Sequence, residues 1–185
     1  MILKFRQNIA TWLLNRNIKK QNRVAKAVGF NDAKKIGILY DATKEDNYQL
    51  VKKMVEGIRS EHKEVVAMGF INAKNLPRNR YIKLGLDFFT KKNLNWYKKP
   101  VGPTIDNFVK ENFDVLINLN IENAYPLRYL AAATKASFKI GRFNNSNSGY
   151  CDFMLQVEKK TGLDGLIDQS MHYLKIINSN ELQKA

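Results

Sequence analysis

Cationic and aromatic side chains alternate through residues 72–100. This segment carries eight Lys or Arg residues against one acid, Asp87, which gives it a net charge of +7. Cations neutralise phosphates and aromatic rings stack on unpaired bases, so the combination is typical of surfaces that bind single-stranded or loop RNA. Its predicted nucleic-acid contacts are Lys74, Arg78, Arg80, Lys83, Lys91, Lys92, Lys98, Lys99, Trp96 and Tyr97. An alternative interpretation places Phe88 and Phe89 in the core and leaves the lysines as an ordinary solvated surface.

A second basic segment, residues 1–35, carries nine Lys or Arg residues against Asp32, a net charge of +8. The other residues of the chain sum to −1, so the two segments account for the whole net charge of +14. Clustered cations release condensed counterions when they neutralise phosphates. We therefore expect both segments to form one face that meets a polyanion. The predicted phosphate contacts of this segment are Arg16, Lys19, Lys20, Arg23 and Lys26.

Residues 2–28 contain neither Gly nor Pro, which predicts a helix that ends at Gly29. Its first half is apolar on one face and its second half is basic. Three interpretations follow: the apolar half docks on the body and leaves the basic half for phosphates, the helix lies on an anionic membrane surface, or it binds a groove of a partner protein. Because the apolar and basic residues separate along the helix axis rather than across it, docking on the body is favoured over binding to a membrane surface.

The rest of the chain alternates between strands and helices. Continuous apolar strands separated by helices predict a mostly parallel sheet covered on both faces. The fold class is therefore α/β, a three-layer sandwich that is Rossmann-like or flavodoxin-like and follows a basic N-terminal helix. Thr43 and Asp46 predict a capping box at the first helix of the body. The predicted strands are 35–41, 65–71, 86–89, 113–119, 138–141 and 153–157. The predicted units of the chain are a basic helical arm (1–30), one α/β domain (35–178) and a flexible tail (179–185).

Ligands of such sheets bind in the crevice beyond the carboxyl ends of the strands. The residues predicted to line this crevice are Asp41, Thr43, Asn118, Asn120 and Arg142. Asn and Thr at these positions also shape turns and cap helices, so a structural role is the alternative. The turn before the first helix of the body has no glycine and carries Glu45 and Asp46, which repel phosphate. No nucleotide cofactor is therefore expected there.

No cluster of residues predicts catalysis or metal binding. His62 and His172 lie far apart without the spacing of metal ligands, and Cys151 is the only cysteine, which fits a reducing cytoplasm. No apolar run approaches the roughly 18 residues that span a bilayer. We expect a soluble cytoplasmic protein that is not an enzyme and has no metal or cofactor.

Two stretches carry a resemblance to a known family. FDVLINL (residues 113–119) and ASFKIGRF (residues 136–143), with the helix 127–135 between them, resemble a strand, helix and glycine turn in the N-terminal half of the heptosyltransferase-like glycosyltransferases. Asn118 stands where that family has Asp. The resemblance implies a Rossmann-like sheet and transfers no catalytic residue. The whole chain is also similar to small bacterial proteins of Rossmann-like layout.

The charge pattern favours a non-enzymatic RNA-binding protein that is associated with the ribosome, as a structural accessory or assembly factor in contact with rRNA. The first alternative is a small glycosyltransferase-like or metabolite-binding protein that uses the crevice. The second is a membrane-surface or protein-docking adaptor that uses the N-terminal helix.

Overall fold

Six parallel strands form one sheet in the computed structural model of the chain, which describes residues 9–16, 18, 23–77, 80, 85–145, 147–158 and 161–177. The strand order is β3-β2-β1-β4-β5-β6, which is the Rossmann order. The order reverses between β1 and β4, so the two strands form the switch point at which such sheets bind ligands. The strands are β1 (Lys35–Asp41), β2 (Glu64–Ile71), β3 (Leu86–Thr90), β4 (Val115–Leu119), β5 (Phe138–Arg142) and β6 (Phe153–Leu155).

Helices cover both faces of the sheet and confirm the predicted three-layer α/β fold. Helices α2 and α5 bury their apolar residues against one face, and α1, α3 and α4 pack on the other. No helix in the described part of the chain is long and apolar enough to cross a bilayer. The helices are α1 (residues 9–16), α2 (Glu45–Ser60), α3 (Pro103–Lys110), α4 (Tyr125–Ala133) and α5 (Gly162–Ile176).

The central strands are apolar on both sides because both sides are covered. Every residue of β4 is buried, and in β1 only the two end residues are partly exposed. This continuous pattern, rather than alternation, is what a parallel sheet between two helical layers requires. The edge strand β6 has three residues, of which only Leu155 is buried.

The prediction of a continuous helix to residue 28 is wrong, since residues 23–29 have no regular secondary structure. The chain here runs along the body, where the backbone N–H of Lys26 donates to the carbonyl oxygen of Ser137 at 3.1 Å. Gly29 does not end a helix. It allows close approach to the end of α5, because a Cβ atom at this position would overlap the carbonyl oxygen of Ile177. The N–H of Phe30 then donates to the carbonyl oxygen of Leu174 at 2.7 Å.

The predicted capping box at α2 is also wrong. Lys44 is the N-cap residue, and no side chain accepts a hydrogen bond there. The hydroxyl of Thr43 instead accepts the backbone N–H of Asn72 at 3.0 Å, which ties the loop after β1 to the end of β2. This cross-link fixes the carboxyl edge of the sheet where the crevice was expected.

Candidate binding cleft at the carboxyl edge of the sheet

An open cleft of about 890 Å³ lies beyond the carboxyl ends of β1 and β2, next to the switch point. Its volume is within the range of about 300–1,000 Å³ that is usual for ligand pockets. Three parts of the chain contribute to it. The strand ends supply Asp41, Phe70 and Asn72, the loop after β3 supplies Lys91, Leu94, Asn95, Trp96 and Lys98, and the segment before and into α4 supplies Glu122, Ala124, Tyr125 and Pro126.

The loop after β3 is held in shape by its own asparagines. The backbone N–H of Thr90 donates to the side-chain oxygen of Asn93 at 2.9 Å and starts a single 3-10 turn. The side-chain oxygen of Asn95 then accepts the backbone N–H groups of Tyr97 at 3.2 Å and Lys99 at 3.0 Å. Polar side chains that bind their own backbone in this way define one turn conformation, so the tip of the loop is preorganised.

The tip presents an aromatic ring beside cations. Trp96 is 57% exposed, and its ring meets the edge of Tyr97 at a centroid distance of 5.1 Å and an interplanar angle of 84°. Lys98 occupies the left-handed region with a φ of 67° and is exposed. Lys91 is exposed as well and lines the same cleft. An exposed indole with two ammonium groups offers a stacking surface next to positive charge.

Tyr125 connects the cleft to the N-terminal helix. Its hydroxyl donates a hydrogen bond to the carbonyl oxygen of Ala10 at 2.8 Å. Burial, followed by the neighbouring Tyr129 and Tyr97, raises the pKa of the Tyr125 hydroxyl, so it remains a protonated donor. One helical turn later, the ring of Tyr129 lies 5.5 Å from the ammonium group of Lys99. Helix α4 therefore holds α1 and the loop after β3 together.

The strand ends supply carboxylate and amide groups. One oxygen of the Asp41 side chain, Oδ1, accepts the backbone N–H of Thr43 at 2.8 Å. Glu122 adds a second, exposed carboxylate. The cleft thus combines acceptor groups from the strand ends and the loop after β4 with cations from the loop after β3.

The predicted crevice residues separate into one that lines the cleft and four that do not. Asp41 lines it. The side chain of Asn120 exchanges hydrogen bonds with the backbone of Ala124 at 2.9 and 3.0 Å, and Arg142 donates to the carbonyl oxygen of Ile121 at 3.1 Å. Asn118 is 2% exposed, and its amide has no hydrogen-bond partner among the described residues. With Thr43 bound to Asn72, these four side chains shape loops or are buried beneath the cleft.

The predicted nucleic-acid contacts in residues 72–100 also differ in their positions relative to the cleft. Lys91, Trp96 and Lys98 line the cleft, while Lys74 and Lys92 are exposed and Lys99 and Tyr97 are half-buried. Arg78 and Lys83 lie outside the described residues. The prediction for Arg80 is wrong, because this side chain is 5% exposed. Its guanidinium pairs with Glu45, donates to the carbonyl oxygen of Ala42 at 3.2 Å and covers the ring of Tyr48 at 4.3 Å.

The expectation that both basic segments form one face is wrong for Arg23 and Lys26. Arg23 pairs with Asp152 and donates to the carbonyl oxygen of Ser137 at 2.9 Å, and the backbone N–H of Lys26 donates to the same oxygen at 3.1 Å. Asp152 and Ser137 directly precede β6 and β5, so this contact lies at the amino edge of the sheet. A five-residue strand, roughly 16 Å long, separates this edge from the cleft. Lys19 and Lys20 lie outside the described residues.

The described part of the N-terminal helix docks on the body through its apolar residues. Ala10 and Leu14 are 3% and 1% exposed, and Leu14 belongs to the core under α4. Trp12 remains 60% exposed, with the guanidinium of Arg16 at 5.4 Å from its ring. The apolar half of the helix therefore packs on its own domain, which is the docking part of the first interpretation, while phosphate binding by the basic half stays a prediction.

The one cysteine of the sequence, Cys151, lies outside the cleft and is buried. Burial raises the pKa of the Cys151 thiol to about 12, so it is not a thiolate at neutral pH. Among the described residues, no group of three or more His, Cys, Asp or Glu side chains could hold a metal ion.

Sequence reasoning missed Asn95, Glu122 and Tyr125, three residues that build the cleft. Asn95 carried a usable signal, because Asn near clustered Lys and Pro residues often starts a turn. Glu122 and Tyr125 carried none, since their positions at the cleft depend on how the loop after β4 folds.

Comparison with known proteins gives one match. Residues 6–177 match DUF6913, a family of unknown function. The searches of curated proteins and of solved structures found no match.

Proposed function

We propose that this chain, which belongs to the DUF6913 family, is a non-enzymatic protein that binds single-stranded RNA in the cleft at the carboxyl edge of its sheet. Unpaired bases stack on Trp96, and the adjoining phosphates are neutralised by Lys91 and Lys98. The preorganised loop after β3 keeps the ring and the cations in one orientation, which reduces the entropy lost on binding.

One observation carries the proposal: an indole that is 57% exposed lies in a cleft that two lysines also line. Trp12 is similarly exposed but does not line the cleft, whereas Trp96 lies in a concave site that cations also line, which is the setting that base stacking requires. Base stacking on an aromatic ring contributes about 1–3 kcal/mol per base and tolerates any base. Trp96 therefore supplies affinity and the lysines supply the preference for an anionic strand.

The position of the charges limits the electrostatic contribution. With Arg23 and Arg80 bound to acids of the protein, two or three lysines among the described residues remain near the cleft. Each phosphate neutralised on a single strand contributes about −0.7 to the slope of log K against log[salt]. We therefore expect a slope of about −1.4 to −2.1, which is shallow for an RNA-binding protein and points to a short strand segment.

The test is a fluorescence-anisotropy titration of a labelled single-stranded RNA octamer. Trp96→Ala should weaken binding by about 5- to 100-fold, since it removes one stacking platform. Trp12→Ala is the matched control, because Trp12 is equally exposed and does not line the cleft. Equal affinities of the two variants and the wild type would refute the proposal.

Ribosomal RNA is the proposed natural source of the strand, as the charge pattern of the sequence suggested. A sucrose-gradient profile of the tagged protein at low and high salt tests it. Cosedimentation with ribosomal particles at low salt that Trp96→Ala abolishes supports a ribosomal partner. Sedimentation as free protein under both conditions contradicts it.

A second candidate is a free phosphorylated metabolite, which corresponds to the glycosyltransferase-like alternative. It is favoured by the place of the cleft next to the switch point and by the fact that, within the described part of the chain, the cations that line it come from one basic segment. Chain length separates the two candidates. An RNA site binds an octamer much more tightly than a mononucleotide, whereas a metabolite site shows no such gain.

A further inference from the structure

We infer that the cleft discriminates against uracil and prefers bases that carry an exocyclic amino group, such as cytosine. This inference rests on the proposed RNA binding and concerns the two carboxylates, Asp41 and Glu122, which that proposal leaves without a role. Carboxylates in a site for an anionic strand repel its phosphates, so they need a different partner there.

The geometry separates a place for phosphates from a place for base edges. Lys91 and Lys98 come from the loop after β3, together with Trp96, whereas Asp41 ends β1 and Glu122 follows β4. In the orientation that we infer, a base stacks on Trp96 with its phosphate at the lysines and its outer edge at the carboxylates. The reverse orientation would bring the phosphate against Asp41 and Glu122.

An ionised carboxylate only accepts hydrogen bonds, so it recognises hydrogen-bond donors on the edge of a base. Cytosine presents an amino group at C4, from which Asp and Glu accept, while uracil presents a carbonyl oxygen at the same position. A carboxylate has two oxygens with about four acceptor positions, so while Oδ1 of Asp41 accepts the N–H of Thr43 at 2.8 Å, Oδ2 can accept a hydrogen bond from a base. An amino group satisfies this oxygen, and the carbonyl of uracil is repelled by it.

Asp41→Asn tests this inference without removing the turn. The side-chain oxygen of Asn can still accept the N–H of Thr43, which places an NH2 group, a donor, where Oδ2 was. The substitution therefore replaces a hydrogen-bond acceptor, which pairs with an amino group of a base, by a donor, which pairs with a carbonyl oxygen. Asp46→Asn is the matched control, since it makes the same charge change on an exposed residue of α2 that does not line the cleft.

The experiment compares the dissociation constants of oligocytidylate and oligouridylate octamers, two pyrimidine strands of similar stacking area, at one salt concentration. The wild type and Asp46→Asn should bind the cytidine octamer about 5- to 100-fold more tightly. Asp41→Asn should lose most of this preference or reverse it.

Equal affinity of the wild type for both octamers overturns the inference and leaves RNA binding intact, because both strands still bind. A cytidine preference that Asp41→Asn leaves unchanged overturns it as well, since another group then reads the base. If neither octamer binds, the proposed function fails and the inference fails with it.

Discussion

The hydroxyl of Tyr125 donates a hydrogen bond to the carbonyl oxygen of Ala10, 2.8 Å away, and so joins the cleft to the N-terminal helix. Tyr125 lines the cleft, and Ala10 is buried where α1 packs on α4. Through this contact and the cation of Lys99 over Tyr129, α4 serves as the common support of two segments that are far apart in sequence. The cleft therefore depends on the docking of α1 as well as on the sheet.

Removal of this hydrogen bond should loosen α1. Tyr125→Phe keeps the ring and should lower the free energy of unfolding by about 0.5–1.5 kcal/mol, since the carbonyl oxygen of Ala10 loses its donor. Urea denaturation measures the change. Tyr173→Phe, at a ring that is 40% exposed, is the control and should change stability by less than about 0.5 kcal/mol. Equal stability of Tyr125→Phe and the wild type would contradict the role of the contact.

Charge removal at the cleft should change the salt dependence of RNA binding. Lys98→Asn suits the left-handed backbone at this position, and Lys91→Gln keeps the length of the side chain. Each variant should reduce the magnitude of the log–log salt slope by about 0.7. Lys110→Gln, at an exposed residue that ends α3 near the amino edge of the sheet, should leave the slope unchanged. A slope that all three substitutions change alike would indicate diffuse binding outside the cleft.

Arg80 should affect stability and not binding. Arg80→Met keeps much of the volume and removes the pair with Glu45, the bond to the Ala42 carbonyl and the contact with Tyr48. We expect a loss of about 1–3 kcal/mol in the free energy of unfolding. The affinity of the folded variant for an RNA octamer should stay within about twofold of the wild type. An intact stability with a tenfold loss of affinity would restore Arg80 as a phosphate contact.

Lys139 should make stability depend on pH in the alkaline range. It is 1% exposed and donates to the carbonyl oxygen of Ala131 at 2.9 Å, and burial, followed by nearby Arg23, lowers its pKa to about 8. The unfolded chain keeps this proton up to the ordinary lysine pKa of 10.5, so between these values the unfolded state binds more protons and stability rises with pH. The gain is lost again as pH falls through 8.

Comparison with Lys139→Met isolates this effect from groups with the opposite sign, such as Cys151, whose raised pKa costs stability as pH rises above 9. Denaturation curves from pH 7.5 to 10.5 give the free energy of unfolding of both proteins. The wild-type value minus the Lys139→Met value should increase by roughly 3 kcal/mol over this window. A difference that stays constant with pH would show that Lys139 is equally charged in both states.

The fold was predictable because its strands are continuous apolar runs. Val115–Leu119 is buried on both faces, and no amphipathic helix has that pattern. The end of α1 was not predictable, since residues 23–29 are fixed by hydrogen bonds to Ser137 and by close approach to α5, which no local pattern encodes. The helix propensity of residues 23–29 favoured a helix, but the tertiary contacts of this segment determine its conformation instead.

The site was predictable in part. The basic, aromatic composition of residues 72–100 indicated Lys91, Trp96 and Lys98, because exposed loops keep such side chains at the surface. Composition could not tell a solvated cation from a buried one, and Arg80 is buried because Glu45, 35 residues earlier, lies beside it. The same limit explains why Arg23 was assigned to a phosphate although Asp152 neutralises it.

Ultraviolet crosslinking of a bound single-stranded RNA octamer, with identification of the crosslinked peptides, tests the central claim most directly. Binding in the cleft predicts crosslinks at Trp96 and Tyr125, two aromatic residues from different parts of the chain that line it. Crosslinks confined to α5 or to the amino edge of the sheet, or no crosslink at an RNA concentration that saturates binding, would contradict the account.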